Sequence, residues 1–298
     1  VRRKGGYMTK RSKLRILRQQ IAYDIRQGII YQWKKYAMLL IVYIVCIVSF
    51  IIRCKTNRHI ESYTCGDMVM WMLKGMKKIE TGRHMNIDIP SVYIFPNVII
   101  AFIVGNYIIK DLYGYGKSVL LKAGSRINWW ISKCIWCLVS ALVCYGMMYI
   151  VIAVAGICTG SFSISPTQDV CCYMLNMDRQ YIENVDIVRL MLSVMGTSLV
   201  MTMTLNMIQI TIGLILSPTI GYMAVMIFLV VAAFSDSPVI ITLYCMAVRS
   251  GLYMPSGYKI APALVIMFIM IMVCAIAGAV YSSHMDIISK KAEWQNPD

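Results

Sequence analysis

From Tyr36 to Ile52 the chain runs for seventeen residues without an acidic or basic side chain, and comparable apolar runs return at about 91–109, 129–158, 187–216, 219–234 and 260–281. Only Lys133 and Arg189 interrupt them. A helix of about 20 apolar residues crosses the roughly 30 Å hydrocarbon core of a bilayer. Inside that core each backbone N–H and C=O must be bonded within the protein, and a helix does this by itself. The expected fold is therefore all-α: a polytopic membrane protein with six transmembrane helices over residues 36–298. A basic stretch, residues 1–35, precedes it and carries an N-terminal amphipathic interface helix. Composition agrees, since 14% of residues are charged against about a quarter in soluble domains.

The formal charge of +15 is unevenly placed, with eleven Lys or Arg between Arg2 and Lys35 and four between Lys110 and Arg126. These groups flank apolar runs. They read as the basic bias of cytoplasmic segments rather than as a nucleic-acid footprint, so membrane lipids are expected partners and nucleic acid is not. With the N-terminus inside, seventeen Lys and Arg lie on inner segments and ten on outer ones. This predicts a multi-pass protein of the cell membrane with both termini cytoplasmic. Seven basic residues in the first outer loop blunt the bias, and the turn at Ser217-Pro218 carries none.

Between the runs, local patterns predict further elements. Leu14, Leu17, Ile21, Ile25 and Ile29 recur at helical steps over residues 9–33, with Lys13, Arg15, Arg18, Gln19 and Arg26 mostly off that stripe, as in a helix lying in a membrane interface. Met68, Trp71, Met72 and Met76 suggest a short amphipathic helix in the first outer loop. Pro96 is expected to kink the second span, Ser217-Pro218 to break the fourth from the fifth, and residues 238–248, too short to cross, to form a re-entrant or interfacial piece. Trp129 and Trp130 are placed at the interface, with Lys133 snorkelling to the headgroups.

The chemistry-bearing motifs are few. Gly116-Lys117-Ser118 ends like a phosphate-binding loop, but the position that needs the first glycine holds Asp111. No nucleotide site is expected in the chain, and it is not read as an enzyme. His59, His84 and His284 are scattered, and the usual metalloprotease and hydrolase signatures are missing. Most of the eleven Cys lie in apolar runs and read as packing residues, Cys134 and Cys137 included; a Cys54–Cys65 bridge is an open possibility. On the fourth span Ser198, Thr202, Asn206 and Gln209 share one helical face. That row is either the lining of a transport path or small-and-polar glue between helices.

Several short motifs follow one another in a recognisable order: Asp24-Ile-Arg-Gln-Gly28 with Trp33-Lys-Lys-Tyr36, Cys65-Gly-Asp67 with Lys74-Gly-Met76, Gly105-Asn-Tyr107, and Asp111-Leu-Tyr-Gly-Tyr115. Gly124-Ser-Arg126, Trp129-Trp130 with Lys133, Met246-Ala-Val-Arg249, Gly278 and Asp286-Ile-Ile288 complete the series. In this order the chain resembles a type-2 ABC exporter permease of an uncharacterised Gram-positive subgroup. The resemblance implies a transmembrane permease subunit that moves an amphipathic cargo (peptide, lipid or drug) outward. It implies an ABC ATP-binding subunit as partner, which holds the ATP and Mg, and a second permease copy or a paralogous permease. It also implies coupling to the ATPase through the segment after the second span, here Asp111, Tyr113, Gly114, Tyr115, Gly116, Lys117, Lys122 and Arg126. A bacteriocin cargo, giving export or immunity, is one such case. The uncharged turn at Ser217-Pro218 departs from the pattern, because a second cytoplasmic contact would be expected there. The alternative, from another class, is a non-transporting membrane anchor or sensor subunit that recruits a partner.

Overall fold

The first described helix, α1 (Lys10–Ile25), passes through one π turn (Arg26–Ile30) into α2 (Trp33–Thr56). A computed structural model describes residues 10–76, 91–113, 126–177, 186–232, 237, 240–252 and 257–284. The remaining helices are α3 (Cys65–Met72), α4 (Ser91–Tyr113), α5 (Arg126–Thr159), α6 (Gln168–Tyr173), α7 (Ile187–Ile215), α8 (Pro218–Val231) and α9 (Ile260–His284). Two short 3₁₀ turns, Ile241–Cys245 and Ala247–Arg249, lie before α9. Among the described residues the only β pairing is an isolated bridge between Ser250 and Tyr258.

α2, α5, α7 and α9 are long and apolar enough to cross a membrane. The apolar stretch of α4, Ser91–Gly105, and α8, at 14 residues, are shorter. The α7–α8 break sits at Ser217-Pro218, where the Ser217 hydroxyl accepts from Ile220 N at 3.3 Å and Pro218 opens the new helix. This is the usual division of labour at a helix start, a hydroxyl cap followed by a proline that needs no N–H partner. α4 continues through Pro96.

α7 is the centre of the bundle. In its most apolar window 72% of residues are buried, against 22% in α9, which lies at the edge. α8 crosses α7 closely at glycines: a Cβ on Gly221 would stand 2.6 Å from Gln209 O and 3.0 Å from Gly213 N. Such backbone approach is how helices associate where lipid removes the hydrophobic drive between them. Large apolar side chains of α2, α5, α8 and α9, among them Ile41, Ile150, Ile227 and Phe268, face outward. That exposed apolar surface is compatible with a membrane protein.

The end of the bundle that holds α3 is interlocked. Every residue of α3 is buried. The expected amphipathic helix is therefore covered on all sides, because the loop after α5 closes over one end and the 3₁₀ turns close over the other. Cys65 N and Gly66 N donate to Ser161 O and Ser163 O, while Ala247 N donates to Leu73 O at 3.0 Å. Arg249 Nε donates to Met76 O at 2.8 Å and Lys74 Nζ to Met174 O at 2.8 Å. The short apolar piece near residue 240 is thus buried as two 3₁₀ turns. Cys54 and Cys65 are free thiols, and so are Cys46, Cys134, Cys137, Cys144, Cys158, Cys171, Cys172 and Cys274. Cys65 Sγ points toward α5, 2.1 Å from where a Cβ on Gly156 would stand.

Candidate functional site

Three charged residues from three elements meet at the end of the bundle away from α3. Asp24 comes from α1, Asp111 from the last turns of α4 and Lys133 from the second turn of α5. Lys133 Nζ lies 2.6 Å from Asp24 Oδ1 and 2.7 Å from Asp111 Oδ2. All three are buried, Lys133 to 1% exposure. The expectation that Lys133 snorkels to the headgroups is therefore corrected: two carboxylates hold it inside. Trp129 and Trp130 are buried as well, rather than set in an interfacial belt.

One cation between two carboxylates leaves a formal surplus of negative charge, and neutral donors surround it. Tyr107 Oη donates to Asp24 Oδ1 at 2.8 Å, Ser132 Oγ donates to Asp24 Oδ2, and Trp129 Nε1 donates to Asp111 Oδ2 at 3.1 Å. The Lys133 ammonium also lies 4.7 Å from the Tyr107 ring centre and 5.6 Å from that of Trp129, within cation–π range. Buried ion pairs offset their desolvation only when the remaining lone pairs find donors, and here both carboxylates do.

Packing around the charges is set by tryptophans of α5. Trp136 packs against Tyr107 with ring centres 4.2 Å apart and planes tilted by 35° and fills the space over Gly28, where a Cβ would fall 2.0 Å from its Nε1. Gly28 lies in the π turn, an irregularity that often marks a functional position in a helix. Trp130 donates to Ala275 O of α9 at 2.9 Å and covers Gly278, whose added Cβ would fall 2.0 Å from the indole. Many motif residues scattered through the sequence (Asp24, Gly28, Tyr107, Asp111, Trp129, Lys133) thus meet in one cluster. Sequence reasoning missed the cluster itself; the available signal was single charges near the ends of otherwise apolar helices.

Of the predicted coupling residues, Asp111 points into this cluster rather than outward. Tyr113 ends α4, and Arg126, half-buried at the start of α5, donates Nη1 to Ser283 O of α9 at 3.2 Å. Gly114, Tyr115, Gly116, Lys117 and Lys122 lie outside the described residues. The predicted path residues Ser198, Thr202, Asn206 and Gln209 are all buried against neighbouring helices. Tyr145 of α5 bonds Thr202 Oγ1 and Ser198 O, each at 3.1 Å, and Gln209 Nε2 donates to Ala101 O of α4 at 2.7 Å. Asn206 Nδ2 and Gln209 Oε1 have no hydrogen-bond partner among the described residues.

A third buried carboxylate organises the opposite end. Asp67 closes a capping box with Thr64, accepting from Thr64 N at 2.8 Å, and also accepts from Thr167 N at 2.8 Å and Thr167 Oγ1 at 2.9 Å. Burial pushes its carboxyl up and the donors from Thr167 and Thr64 pull it back, leaving it at about 6.

Compared with known proteins, the chain matches no family model, no curated sequence and no solved structure.

Proposed function

We propose that this chain is the permease subunit of an ATP-driven exporter of the type-2 kind. In this reading six transmembrane helices and an interface helix leave both termini in the cytoplasm. ATP and Mg are held by a separate ATP-binding subunit, and the cargo is amphipathic. One observation carries the reading: the segment between Asp111 and Arg126 is fastened at both flanks to different parts of the bundle. Asp111 is bonded through Lys133 to Asp24 of α1, and Arg126 is bonded to Ser283 of α9. A push on that segment by a soluble partner would move α1 and α9 together, which is what coupling requires. A second copy or a paralogous permease would supply the other half of the path.

The test is cross-linking from Tyr115. A photoreactive residue there should capture a soluble protein carrying a nucleotide-binding loop. A cysteine at Tyr115 should react only with reagents that reach the cell interior. Labelling of that cysteine by an impermeant reagent added outside overturns the reading. The burial of Ser198, Thr202, Asn206 and Gln209 favours the second reading, a non-transporting anchor or sensor, because it accounts for the row as helix packing. Under the exporter reading Asn206→Leu with Gln209→Leu abolishes export of the cargo; under the second it leaves partner recruitment intact.

A further inference from the structure

The loop that leaves α5 turns two large apolar side chains to the outside of the molecule. Gly160, at φ 68°, reverses the chain. Ser161 N then donates back to Gly156 O at 2.9 Å, closing the helix as a left-handed glycine cap does. Alternate carbonyls of the next residues serve the start of α3: Ser161 O accepts from Cys65 N at 3.2 Å and Ser163 O from Gly66 N at 3.1 Å. Ser165 O accepts from Thr64 Oγ1 at 2.9 Å. The fit is tight, since a Cβ on Gly66 would stand 2.2 Å from Ile164 O. The residues between these anchor points, Phe162 and Ile164, are each 65% exposed.

The clamped loop spends alternate backbone carbonyls on the start of α3 and holds Phe162 and Ile164 outward beside the exposed Ser163 and Ser165, a mixed apolar and polar edge that suits the boundary between acyl chains and headgroups. The Phe162 ring lies along the last turn of α5, its Cδ2 3.6 Å from the position of a Cβ on Gly156. Ile150, Val154 and Ile157 of the same helix are exposed apolar side chains as well. Arg53 and Lys55, both exposed, lie in the last turn of α2 at the same end of the bundle, with the exposed Arg58 just beyond it. Basic residues beside an apolar surface suit the phosphate level of a bilayer.

We propose that Ser161–Ser165 is a membrane anchor, with Phe162 and Ile164 inserted at the acyl–headgroup boundary of the leaflet at that end of α5. This rests on α5 spanning the membrane. The test places p-benzoylphenylalanine singly at Phe162, Ile150 or Glu61 in the full chain. Each protein is reconstituted in vesicles of phosphatidylethanolamine and phosphatidylglycerol, irradiated and analysed by mass spectrometry. Ile150, 63% exposed, probes the span, and the exposed Glu61 probes the polar loop beside it. Lipid adducts at positions 162 and 150, with loss of adduct at 61, are expected. Adducts at 150 but not at 162 overturn the anchor alone, as does a 162 adduct to a second copy of the chain. Equal lipid labelling at 61 also overturns it. No lipid adduct at 150 overturns the spanning reading of α5, and the anchor with it.

Discussion

Asp24 and Asp67 are both carboxylates with almost no exposure, and both tie together segments far apart in the chain, yet their partners differ in kind. Asp24 meets a cation, Lys133, which it shares with Asp111. Asp67 meets only backbone N–H groups and threonine hydroxyls from Thr64 and Thr167. Neutral donors alone leave a buried carboxylate balanced against desolvation. The first arrangement ties α1, α4 and α5 at one point. The second makes a closure whose strength depends on pH.

The largest expected break in this contrast is Lys133→Met. It leaves Asp24 and Asp111 facing each other without a cation, and removing one partner of a buried pair costs about 3–5 kcal/mol. Thermal unfolding in detergent should show a steep loss. Adding Asp24→Asn and Asp111→Asn to the same chain should recover most of it, which a purely steric defect would not allow. Next is Asp67→Ala, which strands the N–H groups of Thr64 and Thr167 at about 1–3 kcal/mol each. It should loosen the α3 end first, read as faster hydrogen exchange over 64–76 and 161–167 with residues 126–137 unchanged. Equal loosening at both ends would show that the two hubs are one cooperative unit.

Two smaller effects sharpen the comparison. Gly28→Ala drives a methyl into the buried Trp136 indole. Overpacking of this kind costs about 1–3 kcal/mol, and α1 should release from α5, seen as new protease sensitivity near residue 20. The smallest effect is pH. Burial lifts the folded carboxyl of Asp67 to about 6, above the ordinary aspartate value of 3.8, so between those values the folded state binds the proton more tightly than the unfolded state. Stability should then fall as pH rises through about 6 and be regained on acidification. Between pH 7 and pH 5 the gain is about 1.4 kcal/mol, one unit of linkage. Asp67→Asn should flatten that dependence, and a wild-type melting curve that falls on acidification over the same range would refute it.

Much of the helical framework was legible in the chain. The run expected at 187–216 is helix Ile187–Ile215, and Ser217-Pro218 ends it as anticipated, because caps and prolines act on their nearest neighbours. The segment between α2 and α4 does hold a short helix, but its Met and Trp positions suggested one buried face. The loops around Ser163 and Ala247 bury the other face too. The polar row of α7 was readable as a face, and what covers it was not, since Tyr145 and Ala101 come from other helices.

Sequence alone determined where the chain is helical, because backbone bonding and apolar period are settled within a few turns. It also determined that much of the surface would be apolar, because six runs broken only by Lys133 and Arg189 offer little else. Only the tertiary structure decided that Lys133 turns inward to Asp24 and Asp111 instead of outward to water or headgroups. The free energy of a buried charge depends on partners within a few ångströms, and those partners stand 109 and 22 residues away along the chain.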